Sequence, residues 1–295
     1  MRTGLTLTGD DRKWAFVMLI PTMIGVLFGT AGSLIVSILI SFTSWDNVNP
    51  PSWTGFSNYV SSFSDPKFIE AILNTLKFTA LYVPACVAAS LAAALILNRK
   101  IAGRGFFRAA FFFPSLTSAV AVALVFSWIY AKNDGLLNRG LELLGLPAVA
   151  WLGKDAVFYS VTLANVWGAV GEGMIVMLAA LQAVPALYYE AATIDGASRA
   201  RQFVKITLPS ISPAVFFQVI IFTVNGLQAF EYIYMLTRKT QGESLMTTAV
   251  YLIYRNGFRW FSMGLASAQA ILLSLVIVAF MLVYFKLEER FVSYE

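Results

Sequence analysis

Long runs of apolar residues, separated by short polar segments, set the pattern of this chain. Five runs contain no charged residue, and each holds the roughly 20 residues that a helix needs to cross the hydrocarbon core of a membrane. These runs are 14–45, 78–98, 109–131, 206–230 and 260–285. One more run, 158–181, is the fourth in chain order and is interrupted by one charge, at Glu172. Because the apolar residues do not alternate with polar ones, the pattern predicts helices and not strands.

The pattern therefore predicts an all-α membrane protein with six transmembrane helices. We place these helices at about 14–42, 74–97, 107–131, 158–181, 211–236 and 262–286. The polar loops between them are too short to fold independently, so residues 1–295 are expected to form a single transmembrane domain.

One polar segment, 184–209, lies between the fourth and fifth runs and has the local signals of a helical hairpin. Pro185 is suited to open a helix, which then continues to Ile194. Gly196 follows in a turn dipeptide, where glycine can take the left-handed conformation that ends a helix. A second short helix is predicted from Ser198 to about residue 207, ending because Pro209 limits the backbone.

This hairpin resembles the EAA loop of ABC importer permeases, a coupling helix that docks into the cleft of a cytoplasmic ATPase. The positions that the resemblance assigns to ATPase coupling are Glu190, Ala191, Ala192, Asp195, Gly196, Ile206, Leu208 and Pro209. Other segments resemble the carbohydrate-type subgroup, which includes the maltose and glycerol-phosphate permeases. These segments include Gly55-Phe56, Asn58-Tyr59, Asp65-Pro66, Asp134 to Asn138, Trp151-Leu152 and Gly264 to Ala268.

The distribution of lysine and arginine gives an orientation. With the N-terminus inside, the cytoplasmic segments carry 12 of these residues and the external segments carry 8. Basic residues are enriched on the cytoplasmic side of membrane proteins, so both termini and the hairpin are predicted to be cytoplasmic. The net charge of +5 fits short basic loops beside anionic lipid and requires no nucleic-acid partner. The resemblance places the chain in a bacterial plasma (inner) membrane as a multi-pass protein.

Several kinds of chemistry are missing from the sequence. The chain has no histidine and one cysteine, Cys86, so histidine-based catalysis and an intramolecular disulfide are excluded. It also has no GxxxxGK[ST] phosphate-binding loop, so ATP must be hydrolysed elsewhere and no cofactor is expected in this chain. The resemblance implies two copies of a cytoplasmic ATPase that hold ATP and Mg²⁺. It further implies an extracytoplasmic solute-binding protein and a second homologous permease as a heterodimer partner.

Polar residues inside the apolar runs are candidates for a substrate pathway. Glu172 lies near the middle of the fourth run between Gly171 and Gly173, and a carboxylate there should face protein or water and not lipid. It is either a hydrogen-bond acceptor for a sugar hydroxyl or a structural partner for a buried cation or a backbone donor. The fourth run also contains the further candidates Asn165 and Trp167.

The fifth predicted helix, 211–236, contains four polar residues at helical spacing, which predicts that they share about one face. They are Asn225, Gln228, Glu231 and Tyr232. Such a stripe serves either substrate contact or hydrogen bonds between helices.

The predicted function is the transmembrane subunit of an ATP-driven, binding-protein-dependent importer for a carbohydrate or similar polyhydroxylated solute. The chain itself is then a transport subunit and not an enzyme. The alternative is a secondary carrier driven by an ion gradient, although carriers usually show repeats and coupling-ion sites, and Glu172 is the one deep charge here. A membrane-embedded enzyme would have only carboxylates and hydroxyls for catalysis.

Overall fold

The computed structural model describes residues 9–291, and it describes side chains for residues 13–286. This part of the chain forms two compact units. The first contains the residues up to Ser64 together with Ile253–Leu272, and the second contains Asp65–Leu252 and the residues from Leu273 onwards.

Helices make up most of both units. In chain order they are α1 Gly9–Ile24, a π-helical segment Gly25–Gly32, α2 Ser33–Ser41, α3 Ser57–Ser64, α4 Pro66–Asn98, α5 Arg104–Leu116, α6 Ala119–Ile129, α7 Leu136–Leu143, α8 Val157–Ala183, α9 Ala186–Ile194, α10 Arg199–Gln202, a π-helical segment Phe203–Thr207, α11 Leu208–Leu227, α12 Glu231–Thr237, a short 3₁₀ turn Ser244–Met246, α13 Ala249–Tyr254, a π-helical segment Arg255–Arg259 and α14 Met263–Phe291. Two short strands, β1 Thr43–Ser44 and β2 Ser52–Trp53, pair in an antiparallel hairpin.

Five continuous helical stretches are long and apolar enough to cross a membrane. They are Lys13–Ser41, Pro66–Asn98, Val157–Ala183, Arg199–Leu227 and Met263–Lys286. The pair α5 and α6 would supply a sixth span if the two helices cross together. The mainly helical membrane fold predicted from the sequence is therefore confirmed, with five spans or six.

The third predicted span is not one helix, which corrects the expectation for 107–131. α5 and α6 meet at a bend of 100°. Pro114 lies in the last turn of α5, and Thr117 after it has extended backbone angles. The backbone N–H of Thr117 bonds to the carbonyl of Pro114, so the hydroxyl of Thr117 donates to the carbonyl of Phe113 at 3.1 Å instead. A hydroxyl thus satisfies a carbonyl that the break would leave without a partner.

The fifth predicted span, 211–236, also differs from the structure at both ends. The helix does not stop at Pro209, because a π-helical segment runs directly into α11 and Pro209 occupies the first turn of α11, where its missing N–H is tolerated. At the other end α11 stops at Leu227, and α12 begins only at Glu231. The carbonyl of Ala229 in this break accepts a hydrogen bond of 2.9 Å from the hydroxyl of Thr248.

The core of the second unit is built on α8, which packs against α4, α5 and α11. Two glycines allow the close approach. A Cβ at Gly171 would overlap the backbone of Phe111 in α5, and a Cβ at Gly173 would meet Ser90 in α4 and Phe222 in α11. Because both sides of α8 are fixed in this way, the helix cannot rotate about its axis without clashes.

In the first unit, side-chain hydrogen bonds stabilise the β-hairpin and the residues around it. The side-chain amide of Asn58 donates to the carbonyls of Ser41 and Thr43, at 2.8 Å and 2.9 Å. In the hairpin loop, the backbone and side-chain N–H groups of Asn49 donate to Asp46, which holds the pKa of the Asp46 carboxyl below its usual range. The loop is therefore ordered by local hydrogen bonds.

Candidate functional site

The hairpin at 186–207 forms with the helix and turn that the sequence predicted. α9 spans Ala186–Ile194, and Gly196 follows with φ of +73°. The N–H of Ala197 donates to the carbonyl of Ala192 at 2.8 Å, and the N–H of Gly196 donates to the carbonyl of Thr193 at 3.1 Å. These two bonds form a Schellman motif, which ends α9 and sets the direction of α10.

Side-chain hydrogen bonds connect the two arms of the hairpin. The amide of Gln202 donates to the hydroxyl of Thr193 at 3.0 Å and to the carbonyl of Ala197 at 3.1 Å. The hydroxyls of Tyr189 and Thr207 are 3.0 Å apart, and Thr207 is buried. The hairpin therefore has its own tertiary contacts and is not an extended linker.

The outer surface of the hairpin combines polar and apolar side chains. Leu187 is 67% exposed and Ile194 is 87% exposed, although both are large apolar residues. Six of the sequence-predicted coupling residues lie on the hairpin, and Leu208 and Pro209 follow it in the first turn of α11. Glu190, Ala191, Asp195, Gly196 and Pro209 are exposed, whereas Ala192, Ile206 and Leu208 are half-buried. An exposed apolar surface on an ordered hairpin is typical of a protein contact.

A second feature is a polar cavity of about 550 Å³ in the second unit. It is lined by Tyr82, Asn165, Asn225, Gln228, Ala229, Phe230, Glu231, Tyr232 and Val250. The break between α11 and α12 creates this lining, because it turns the chain at Gln228 while keeping Asn225 and Glu231 beside it. The sequence predicted one helical face for these residues, and that geometry is wrong, since the helix ends at Leu227. The structure nevertheless brings all four residues to one cavity.

The groups in the cavity are suited to bind hydroxyls. The side-chain N–H of Asn165 donates to the carbonyl of Val161 in its own helix at 2.8 Å, which leaves its amide oxygen directed to no donor among the described residues. Asn225, Gln228 and Glu231 are exposed on the surface of the chain. The amides offer both donors and acceptors to a polyhydroxylated molecule, and the carboxylate offers acceptors.

The remaining two candidates lie outside this cavity. Trp167 lines a separate apolar cavity of about 370 Å³ between α4, α5 and α8, and its ring contacts Phe126 edge-on with centroids 5.5 Å apart. Glu172 is exposed on α8 and lines neither cavity. Sequence reasoning missed Tyr82, a buried residue of α4 that reaches the polar cavity, because nothing in an apolar run distinguishes a tyrosine of this kind from a packing residue.

Comparisons with known proteins agree with this arrangement. A family model described as "Binding-protein-dependent transport system inner membrane component" matches residues 85–293. The probable ABC transporter permease protein YesP of Bacillus subtilis (strain 168) is 32% identical, over 97% of this chain and 93% of its own. The trehalose/maltose transport system permease protein MalF of Thermococcus litoralis is 30% identical, over 94% of each chain. A solved structure of a bacterial ABC transporter involved in the import of the acidic polysaccharide alginate is 28% identical, with a TM-score of 0.84 and coverage of 96% of this chain and 98% of that chain.

Proposed function

The chain belongs to the family of inner-membrane components of binding-protein-dependent transport systems, and from this premise we propose that it forms the transmembrane path of an ATP-driven importer for a carbohydrate or similar polyhydroxylated solute. The relatives are permeases, so this chain is a transport subunit and not an enzyme. The observation that carries the carbohydrate assignment is the polar cavity, with its amides, tyrosines and carboxylate, in a chain similar to a trehalose/maltose permease.

The hairpin at 186–207 is the part of the chain that we assign to energy coupling. Its exposed surface carries Glu190 and Ile194, and its turn is fixed by the Schellman motif at Gly196. In this proposal α9 docks into an ATPase subunit and moves as a rigid piece when ATP closes the ATPase pair. The hydrogen bonds from α9 to α10 and to the π-helical segment Phe203–Thr207 support such rigid movement.

The complete importer is proposed to contain further subunits. Two ATPase copies hold ATP and Mg²⁺, a solute-binding protein delivers the substrate, and a second homologous permease faces this one as a heterodimer partner. The chain is proposed to cross the membrane six times, with α5 and α6 crossing together, and the distribution of lysine and arginine favours a cytoplasmic position for both termini and the hairpin. The exposure of the cavity residues Asn225, Gln228 and Glu231 supports a partner on that face, because polar groups inside a membrane avoid lipid.

The family assignment leaves the ion-gradient carrier without support, because members of this family work within binding-protein-dependent systems. Co-purification tests the coupling assignment directly. We expect the tagged chain to recover the ATPase in stoichiometric amount, and Glu190→Ala to reduce both this recovery and the ATPase activity stimulated by the loaded binding protein. Glu142→Ala is the matched control, since Glu142 is an exposed carboxylate on α7. Unchanged recovery and stimulation in Glu190→Ala would remove α9 from the coupling role.

A further inference from the structure

The polar cavity has an uneven distribution of charge. Among the residues that line it, Glu231 is the one carboxylic acid, and none of them is a lysine or an arginine. Within the described part of the chain the carboxylate of Glu231 makes no hydrogen bond or ion pair. An exposed carboxylate with no ion-pair partner among the described residues therefore lines the polar cavity.

A second exposed carboxylate, that of Glu172, lies on α8. Glu172 lies seven residues after Asn165, which is two helical turns, so the two side chains share a face and are about 10 Å apart along the axis. The tight packing at Gly171 and Gly173 fixes that face, so Glu172 cannot turn into the core. Within residues 13–286 the Glu172 side chain also has no ion-pair or hydrogen-bond partner.

We propose that this chain selects its solute by charge, with Glu231 at the polar cavity and Glu172 two turns deeper on α8 excluding acidic saccharides and admitting uncharged ones. The inference rests on the proposed function and narrows its substrate class. It separates this chain from the structurally similar importer of the acidic polysaccharide alginate. An acidic sugar in the polar cavity would bring its carboxylate beside that of Glu231 and towards that of Glu172, and like charges repel. A neutral sugar would instead donate hydroxyl hydrogen bonds to them, and such bonds are stronger to an ionised acceptor than to a neutral one.

Thiol labelling in the assembled importer measures this selection without knowledge of the solute. Asn225→Cys places a thiol in the cavity lining, and the natural Cys86 is buried, so the parent chain gives the background rate. The thiol is reacted with three methanethiosulfonates of similar size that carry a sulfonatoethyl, a hydroxyethyl or a trimethylammonioethyl group. Each rate is divided by the rate of the same reagent at Ser52→Cys, an exposed position on β2.

We expect the trimethylammonium reagent to react about tenfold faster than the sulfonate, with the hydroxyethyl reagent between them. This estimate takes two carboxylates, each roughly 12 Å from the thiol in a water-like dielectric and each contributing about threefold, and reagents that differ by two charges. Adding Glu231→Gln should reduce the ratio to about threefold or less, and the double change with Glu172→Gln should bring it close to one. Glu142→Gln, which removes an exposed carboxylate outside the cavity, should leave the ratio unchanged.

Two results would overturn the proposal. The first is equal or faster labelling by the sulfonate in the assembled importer, which would mean that the second permease supplies cations that reverse the field. The second is a ratio that does not respond to Glu231→Gln. Uptake measured on the same preparations tests the proposed function separately. ATP-dependent uptake together with labelling that shows no charge preference would refute only the proposed charge selection. A clear charge preference in labelling without ATP-dependent uptake would refute only the importer function.

Discussion

The turn at Gly196 offers a prediction whose size follows from the structure. Its φ of +73° lies in the left-handed region, and a Cβ at this position would have no atom within 4 Å. Gly196→Ala therefore introduces no steric clash with the rest of the protein. The whole effect is the conformational cost of a left-handed residue with a side chain, about 1–2 kcal/mol.

That cost should appear as local opening of the hairpin. A loss of about 1–2 kcal/mol raises the population of the open turn by about five- to thirtyfold. The amides of residue 196 and Ala197 donate the two hydrogen bonds of the Schellman motif, so they report the opening directly. Hydrogen–deuterium exchange of peptides covering 186–207 should therefore speed up by the same factor, while peptides from α4 and α8 stay unchanged.

Two further variants control this experiment. Gly140→Ala is the matched control, because Gly140 lies within α7 with a free Cβ direction and no positive φ, and alanine there should stabilise the helix by up to about 1 kcal/mol. Gly196→Asn should recover part of the protection, since asparagine tolerates the left-handed region. Exchange in Gly196→Ala that matches the parent, or that Gly196→Asn does not improve, would show that the left-handed turn does not limit the stability of the hairpin.

Three other substitutions test the packing and the site. Gly171→Ala should lower the free energy of unfolding by about 1–3 kcal/mol, because its Cβ would meet the backbone of α5. The control is Gly105→Ala, where the Cβ has open space and no such loss is expected, and thermal unfolding of the purified complex compares the stabilities of the two variants. Asn138→Ala should lower the free energy of unfolding by about 2–4 kcal/mol and speed hydrogen–deuterium exchange in the 131–151 loop, because the buried Asn138 side chain bonds to Lys132, Val149 and Trp151. The control is Asn133→Ala, at an exposed position, and equal exchange in the two variants would contradict this role of Asn138. Glu172→Gln should reduce uptake by up to about tenfold and leave the melting temperature unchanged. A fall in melting temperature would instead indicate that Glu172 belongs to a structural ion pair, because losing such a pair costs about 3–5 kcal/mol.

The features that sequence predicted well depend on short-range rules. Runs of about 20 apolar residues mark membrane helices, because the thickness of the hydrocarbon core sets that length wherever the run occurs. α9 was placed correctly because Pro185 and Gly196 act on the backbone at their own positions.

The features that sequence missed depend on partners elsewhere in the chain. At the break after Leu227, the carbonyl of Ala229 accepts a hydrogen bond from the hydroxyl of Thr248, 19 residues later, and the periodicity of α11 does not predict that bond. Trp167 and Asn165 are two residues apart, yet they face different cavities, since the direction of each follows from the rotation of α8. That rotation is fixed by contacts with α4, α5 and α11, which local sequence does not specify.

Transport in proteoliposomes tests the central claim most directly. The chain is reconstituted with its second permease and ATPase, and the binding protein is added outside together with the saccharide that it retains on purification. With Mg²⁺-ATP inside and all ion gradients collapsed by ionophores, we predict uptake that requires ATP, the binding protein and the ATPase together. Uptake by this chain alone, driven by an ion gradient and indifferent to ATP, would contradict the account.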